Sequence, residues 1–261
     1  MISLLTVNNS FSQSGPIGAR AAAMGHGGLM IKDIWGIYNN QAVPAFTKGF
    51  ELGVSLENRY MMKEMNRISL GVAKQLGKGG LFAGIDHFGD GLYGEMKASA
   101  GYALQLGSRV GAGLQLDYLH MSVGDGYGSY HAFTFEGGLL VSITDRFSLG
   151  LQCFNPVNTR WTGTGEHLPV MIRGGFSYKP ESSIIICGEI LKSTAMPAVI
   201  SAGCEYGFRE KVFFRAGVSS GPARLTFGAG IRLRRLMIDI ASSMHAYLGF
   251  SPLVSFTYGS K

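Results

Sequence analysis

The sequence predicts an all-β protein, a 14-stranded antiparallel transmembrane β-barrel, on three observations. Charged residues make up only 15% of the 261-residue chain and its mean hydropathy is +0.17, oily for a water-exposed surface that must carry mixed charge. Yet the longest aliphatic runs, such as Ile184-Ile185-Ile186, fall far short of the roughly 18 to 20 apolar residues that a helix needs to cross a bilayer. From Gly49 to the C-terminus, units of roughly 9 to 12 residues alternate apolar with polar side chains and end in turns, as membrane barrel strands do. The 39 glycines and 11% aromatic residues agree with strands and turns rather than helices.

The units fall at 49–58, 66–76, 80–88, 92–106, 109–123, 128–143 and 146–154, then at 168–178, 182–192, 198–208, 211–219, 223–234, 236–244 and 247–258. Side chains alternate faces along a strand, so Leu225, Phe227, Ala229, Ile231 and Leu233 share one face while Thr226, Gly228, Gly230 and Arg232 share the other. Val110 to Tyr118 and Val212 to Gly217 repeat the pattern. A soluble sandwich alternates too, and the position of the charges separates the two. Glu51, Asp86, Lys97, Asp117, Glu136, Arg173, Glu189, Glu205, Arg215 and Arg232 all fall on the polar face. A mid-strand charge is costly against lipid but tolerable in a polar lumen where opposite signs pair. A lumen charge network of Glu51, Lys97, Asp117, Glu136, Arg173, Glu189, Glu205, Arg215 and Arg232 is therefore expected.

Turns such as Gly77-Lys78-Gly79, Asp145-Arg146 and Arg209-Glu210 are tight and polar, suited to hairpins. The alternate connections are looser, the longest being Asn155 to His167 with Trp161. An even strand count with tight turns on one side puts both termini in the periplasm and the looser connections outside. Trp161 and Tyr127 in loops, with Tyr93, Tyr118, Tyr206, Tyr247 and Tyr258 near strand ends, fit an interfacial aromatic girdle. Trp161 is also the candidate for contact with a partner or ligand from the outer loops.

The chemistry of an enzyme is not visible. His26, His87, His120, His131, His167 and His245 never stand at metal-ligand spacing, and no Ser/His/Asp grouping is recognisable. Gly25–Gly28 and 76–80 are glycine-rich but do not continue as a P-loop. The carboxylate pairs Asp117 with Glu136 and Glu189 with Glu205 read as lumen ion-pairing groups rather than glycosidase acids. Cys153, Cys187 and Cys204 lack C-x-x-C spacing. The net charge of +6 gathers near turns, with its one cluster at Arg232, Arg234 and Arg235, whereas a nucleic-acid binder concentrates cations on one face. The expectation is no enzyme, no cofactor, no metal and no nucleic acid. At the start, Ile2 to Val7 is a short apolar stretch followed by small polar residues; residues 1–13 read as an export-signal remnant, with the mature chain beginning near Ser14.

Two stretches resemble a known family. The first runs Gly18-Ala19-Arg20, Met24-Gly25, Asp33 and Tyr38-Asn39-Asn40-Gln41-Ala42. The second runs Asn155-Pro156, Leu168-Pro169-Val170, Arg173-Gly174-Gly175-Phe176-Ser177-Tyr178, Gly203-Cys204-Glu205-Tyr206, Arg215-Ala216-Gly217, Phe227-Gly228-Ala229-Gly230, His245, Leu248-Gly249 and Phe256-Thr257-Tyr258. Together they resemble the outer-membrane barrel family that contains the fatty-acid transporter FadL and the type IX secretion proteins PorV and PorQ. The closing strands look more like the PorV and PorQ branch. Gln41 stands where the family usually has proline.

The resemblance implies that residues 14–48 form a hatch in the lumen, with Arg20, Asp33, Asn39 and Asn40 as its motif residues, and that residues 49–261 form the barrel. It implies the outer membrane of a Gram-negative bacterium, and an accessory subunit of a protein-secretion or assembly complex whose partners are other outer-membrane proteins and the lipid bilayer. The alternative that it implies is a FadL-like uptake channel for hydrophobic small molecules, with a lipid or hydrophobic ligand near the hatch. Phe82, Met171, Phe213 and Met237 are the residues expected to offer that ligand an apolar patch.

Overall fold

In the computed structural model, residues 15–124 and 128–260 are described; the expected signal remnant at 1–13 and the girdle position Tyr127 lie outside them. Fourteen strands follow one another in sequence: β1 (Phe50–Asn58), β2 (Asn66–Leu76), β3 (Gly79–Gly89), β4 (Tyr93–Gln105), β5 (Val110–Val123), β6 (Gly128–Ser142) and β7 (Phe147–Phe154). The second half continues with β8 (Met171–Tyr178), β9 (Ile184–Ser193), β10 (Val199–Phe208), β11 (Val212–Ser220), β12 (Ala223–Leu233), β13 (Leu236–His245) and β14 (Gly249–Ser260). Each pairs antiparallel with its neighbours, and β1 closes on β14 with Phe50 opposite Ser260 and Glu57 opposite Leu253. Closure removes every free strand edge, the one sheet arrangement that satisfies its own backbone in lipid. The boundaries expected from alternation agree with the observed strands to within three residues.

Parity decides which side each residue meets. On β5, Gly111, Gly113, Gln115 and Asp117 are buried while Leu114 and Leu116 are exposed on the outer wall. On β11, Phe213, Arg215 and Gly217 are buried and Phe214 and Val218 exposed. The outer wall is therefore a continuous apolar surface with Leu, Ile and Phe standing out, a solvent mismatch in water and a match to hydrocarbon.

At one end of the barrel, where β1 begins and β14 finishes, the connections are tight. Arg209 and Glu210 both take left-handed backbone angles, φ 51° and 57°, as mirror-image two-residue hairpin turns require. This is the terminal end. The opposite, loop end carries the longer connections, including short helical turns at Arg59–Met61 and Lys63–Met65 and the stretch between β7 and β8.

Residues 15–48 precede the barrel and carry two short helices, α1 (Ala19–Ala23) and α2 (Gly36–Asn39), and a 3-10 turn at Val43–Phe46. Most of this segment is buried, and it is buried by the same strand faces that carry the charges. Ile17, Ile34, Trp35, Ile37, Tyr38 and Ala45 pack with Ala73, Phe82 and Ala103 of β2 to β4, while Ala19, Ala22 and Ala23 pack on Ala241 and Leu253. Close approach depends on glycine: a Cβ on Gly113 would stand 1.8 Å from the Gln41 carbonyl oxygen, and one on Gly217 2.1 Å from the Gly25 nitrogen.

Candidate functional site

The buried strand faces gather most of their charges into four groups, each closed by a residue of the N-terminal segment. In the first, the Arg67 guanidinium donates to both Asp86 oxygens at 2.9 Å, Ser69 donates to Asp86 at 2.6 Å, and Arg67 Nη1 reaches the Gly15 carbonyl at 3.2 Å. In the second, Lys97 bonds Glu136 and stands 3.6 Å from Asp117. Glu136 also accepts the side-chain amides of Gln41 and Gln152, each at 2.7 Å. In the third, Arg173 pairs with Glu189 at 2.6 Å and donates to the Asn39 carbonyl, and Glu189 in turn accepts the Leu29 N–H at 3.0 Å.

The fourth is a chain of alternating sign. Arg20 forks onto both oxygens of Glu205 at 2.7 and 2.6 Å, Arg215 donates to Glu205 at 2.6 Å, and the same guanidinium donates to Asp239 at 2.6 Å. Buried charges are costly unless paired and hydrogen-bonded, and here each charge is hydrogen-bonded to an opposite one, with Arg215 Nη2 left over.

Seven of the nine residues expected in a charge network take part in these groups. Glu51 and Arg232 do not. Glu51 is half-buried at the start of β1 and forms no ion pair among the described residues. Arg232 is exposed near the terminal end, its guanidinium 4.8 Å from the Phe213 ring centre and its only side-chain bond among the described residues a long one to the Glu210 carbonyl. Both have the expected parity but lie too near the terminal end to reach an opposite charge. Arg67 and Asp239 were not singled out from the sequence, although each has the parity of the buried faces; strict counting from Ser69 and from Ala241 would have found them.

Of the expected motif residues, Arg20 is the most strongly engaged. Asn39 exchanges hydrogen bonds with both backbone groups of Ile17, at 2.9 and 3.1 Å. Asn40 donates to the Leu29 and Leu139 carbonyls and accepts the Ala42 N–H. The departure at Gln41 is used rather than merely tolerated, since its amide reaches Glu136. Asp33 accepts the Trp35 N–H and stands 3.9 Å from Arg20, its side chain 18% exposed. Burial pushes the Asp33 carboxyl up to about 7 against the pull of Arg20. A raised carboxylate pKa gives stability that is full below the ordinary value and lost as pH rises through the folded one. Wild-type segment stability should therefore decline between about pH 4 and about pH 7 and then level off, and Asp33→Asn should flatten that decline. Hydrogen exchange of residues 15–48 at the two ends of the range checks this; an equal decline in both proteins overturns it.

At the loop end the structure corrects the expectation for Trp161. It is 8% exposed and packed inward rather than standing in an interfacial girdle. It packs with Leu119, Ala132, Phe154, Leu168 and Met171, flanked by Met121 and Tyr130. The reason lies in Asn155, which takes φ 53° and is fully buried. Its amide donates to the Leu168 carbonyl at 2.9 Å, and its oxygen accepts Thr134 Oγ1 at 2.8 Å and the Thr159 N–H at 2.9 Å. The β7–β8 connection is thereby folded inward, with Trp161 as its cap. This apolar cage adjoins the second charge group, since Lys97 Nζ lies 5.4 Å from the Phe154 ring centre.

The single apolar patch expected from Phe82, Met171, Phe213 and Met237 is not formed. Phe82 joins the cluster around Trp35, Met171 lines the cage, and Phe213 sits under the guanidinium groups of Arg215 and Arg232. The girdle expectation also divides. Tyr206 and Tyr258 stand on the outer wall, whereas the Tyr93 hydroxyl bonds Glu95 and Tyr247 is almost fully exposed in a turn. The three cysteines are free.

Fold and site together define a closed outer-membrane-type β-barrel whose charged inner faces are occupied by the chain's own N-terminal segment. Its fold is that of the FadL-type channels. The chain is similar to the CymD monoaromatic hydrocarbon channel, with TM-score 0.76, 13% identity, and 94% of this chain and 97% of that one covered. It is similar to the toluene transporter TodX of Pseudomonas putida, with TM-score 0.69, 15% identity and coverage of 93% and 96%. A FadL homologue of Pseudomonas aeruginosa gives TM-score 0.69, 11% identity and coverage of 94% and 99%. No family model and no curated protein matches the sequence. These likenesses fall on transport channels, so the expected leaning toward the PorV and PorQ secretion branch gains no support from them.

Proposed function

We propose that the protein is an outer-membrane channel for hydrophobic small molecules, with residues 14–48 as a hatch in its lumen and both termini in the periplasm. The observation that carries the reading is the apolar cluster of Leu119, Phe154, Trp161, Leu168 and Met171 at the loop end. Apolar side chains gathered at the loop end, beside the charged groups of the inner faces, offer a neutral molecule a place to leave water, at about 25 cal/mol for each Å² of apolar surface removed. The cage borders Lys97 and Glu136, and Glu136 holds Gln41 of the segment. Anything that loosens that corner reaches the hatch directly. The reading of the chain as a secretion-complex subunit has no comparable feature of the site behind it.

The fold likeness supports a monoaromatic hydrocarbon as the first molecule to try. Cells with an intact lipopolysaccharide layer take up labelled toluene slowly, and expressing this barrel should raise the initial rate. Phe154→Ala with Trp161→Ala should return the rate to near background while the barrel still folds and inserts. Equal uptake with and without the barrel would refute the channel, and co-purification with a stoichiometric larger barrel would revive the secretion reading.

A further inference from the structure

At the terminal end, between the N-terminal segment, the turn that precedes β5, and β6 to β9, lies a cavity of about 360 Å³, within the size range of small-molecule sites. Part of its lining is apolar, contributed by Met24, Met30 and Ile31 of the segment and Ile185 of β9. Another part is rich in hydroxyls: Ser142, Thr144, Ser148 and Ser177. Four cations complete it, Lys32, Arg109, Arg146 and Lys179.

These cations differ from those deeper in the barrel. Arg20 also borders the cavity, but its guanidinium is committed to Glu205. Of the four, only Arg109 forms an ion pair among the described residues, with Asp145 at 3.7 Å, and both groups are largely solvated. Among the described residues Lys32, Arg146 and Lys179 form no ion pair. Four cations less one carboxylate leave the lining with three positive charges. Burial, and after it the nearby Lys179 ammonium, lowers the pKa of Lys32, so these two cations lie close enough to repel.

We infer that this cavity binds an organic phosphate monoester bearing a short apolar chain, the phosphate among Lys32, Arg146 and Lys179 and the chain on Met24, Met30 and Ile31. A phosphate monoester carries about −1.5 to −2 charges at pH 7 and three acceptor oxygens, matching both the excess positive charge and the hydroxyl donors. A monocarboxylate would leave most of that charge unmatched, and a neutral hydrocarbon would gain nothing from it. The apolar part of the lining gives a chain-bearing ester an advantage over inorganic phosphate. The inference stands independently of the channel reading, because it is read by binding and not by transport.

Titration calorimetry on the full-length protein in nonionic detergent at 0.15 M salt tests it with hexyl phosphate, hexanoate and inorganic phosphate. Hexyl phosphate is expected to bind at least 10-fold tighter than either of the others, and tighter at pH 7.5 than at pH 5.5 as the second phosphate ionisation near pH 6 completes. Arg146→Ala with Lys179→Ala should weaken it at least 10-fold, and Lys179→Gln alone should give a smaller loss of the same sign. Because these side chains are exposed, both variants are expected to keep the folded barrel's electrophoretic mobility. Hexanoate binding as tightly as hexyl phosphate, unchanged binding by the double variant, or no binding at all would overturn the site. Repeating the titration in nanodiscs with and without phosphatidic acid separates the sources: competition identifies a lipid headgroup, and hexyl phosphate binding without competition identifies a soluble ester.

Discussion

Replacing Arg215 with alanine is expected to destabilise the barrel by about 3–5 kcal/mol, the range for removing one partner of a buried ion pair. Its side chain is fully buried between Glu205 and Asp239, 2.6 Å from each. Glu205 would keep Arg20, but Asp239 would lose the only ion-pair partner it has among the described residues. The cost arises from that stranded carboxylate rather than from the pair's net attraction, so Arg215→Met combined with Asp239→Asn should recover most of it. Equilibrium unfolding by urea in detergent micelles measures both variants. A single variant within about 0.5 kcal/mol of wild type, the range of ordinary surface substitutions, would show that water replaces the guanidinium at no cost.

The second large effect is expected at Gly113 and Gly217. Alanine at either position drives a Cβ into backbone, the Gln41 carbonyl at 1.8 Å or the Gly25 nitrogen at 2.1 Å. Neither contact is with the end of a flexible side chain, so relief requires the N-terminal segment to move. Overpacking of this kind costs about 1–3 kcal/mol at each site. The double variant Gly113→Ala, Gly217→Ala should expose residues 15–48 to protease and raise ion conductance across a planar bilayer. Gly137→Ala serves as the control, because its Cβ would meet Leu114 Cδ2 at 3.4 Å and the Gly113 carbonyl oxygen at 3.9 Å, both ordinary contacts. Conductance and cleavage both unchanged in the double variant would remove the hatch from the proposed mechanism.

Much of the barrel was legible because strand parity is a local property. Where Thr226 and Gly228 alternate with Leu225 and Phe227, the two faces are fixed before any partner strand is known. Lys97, Asp117 and Glu136 could likewise be assigned to one face, since each has the parity of the polar side chains on its own strand. What parity does not encode is height along the barrel axis, which depends on strand stagger. For that reason Glu51 and Arg232, correct in face, failed to join the network.

The N-terminal segment and the loop were legible only as motifs. Nothing local in Asn40-Gln41-Ala42 says that Gln41 will meet Glu136, 95 positions away. Nothing local in the β7–β8 connection says that Trp161 will turn inward; that depends on Thr134 and Leu168 being present to satisfy the Asn155 side chain. The sequence by itself determined the strands, their faces and the presence of charges of both signs inside, because each follows from alternation along one strand. Only the tertiary structure decided which charges pair, that the segment closes all four groups, and that an apolar cage and a cationic cavity lie at opposite ends, because those depend on closing the barrel and on the register that closure imposes.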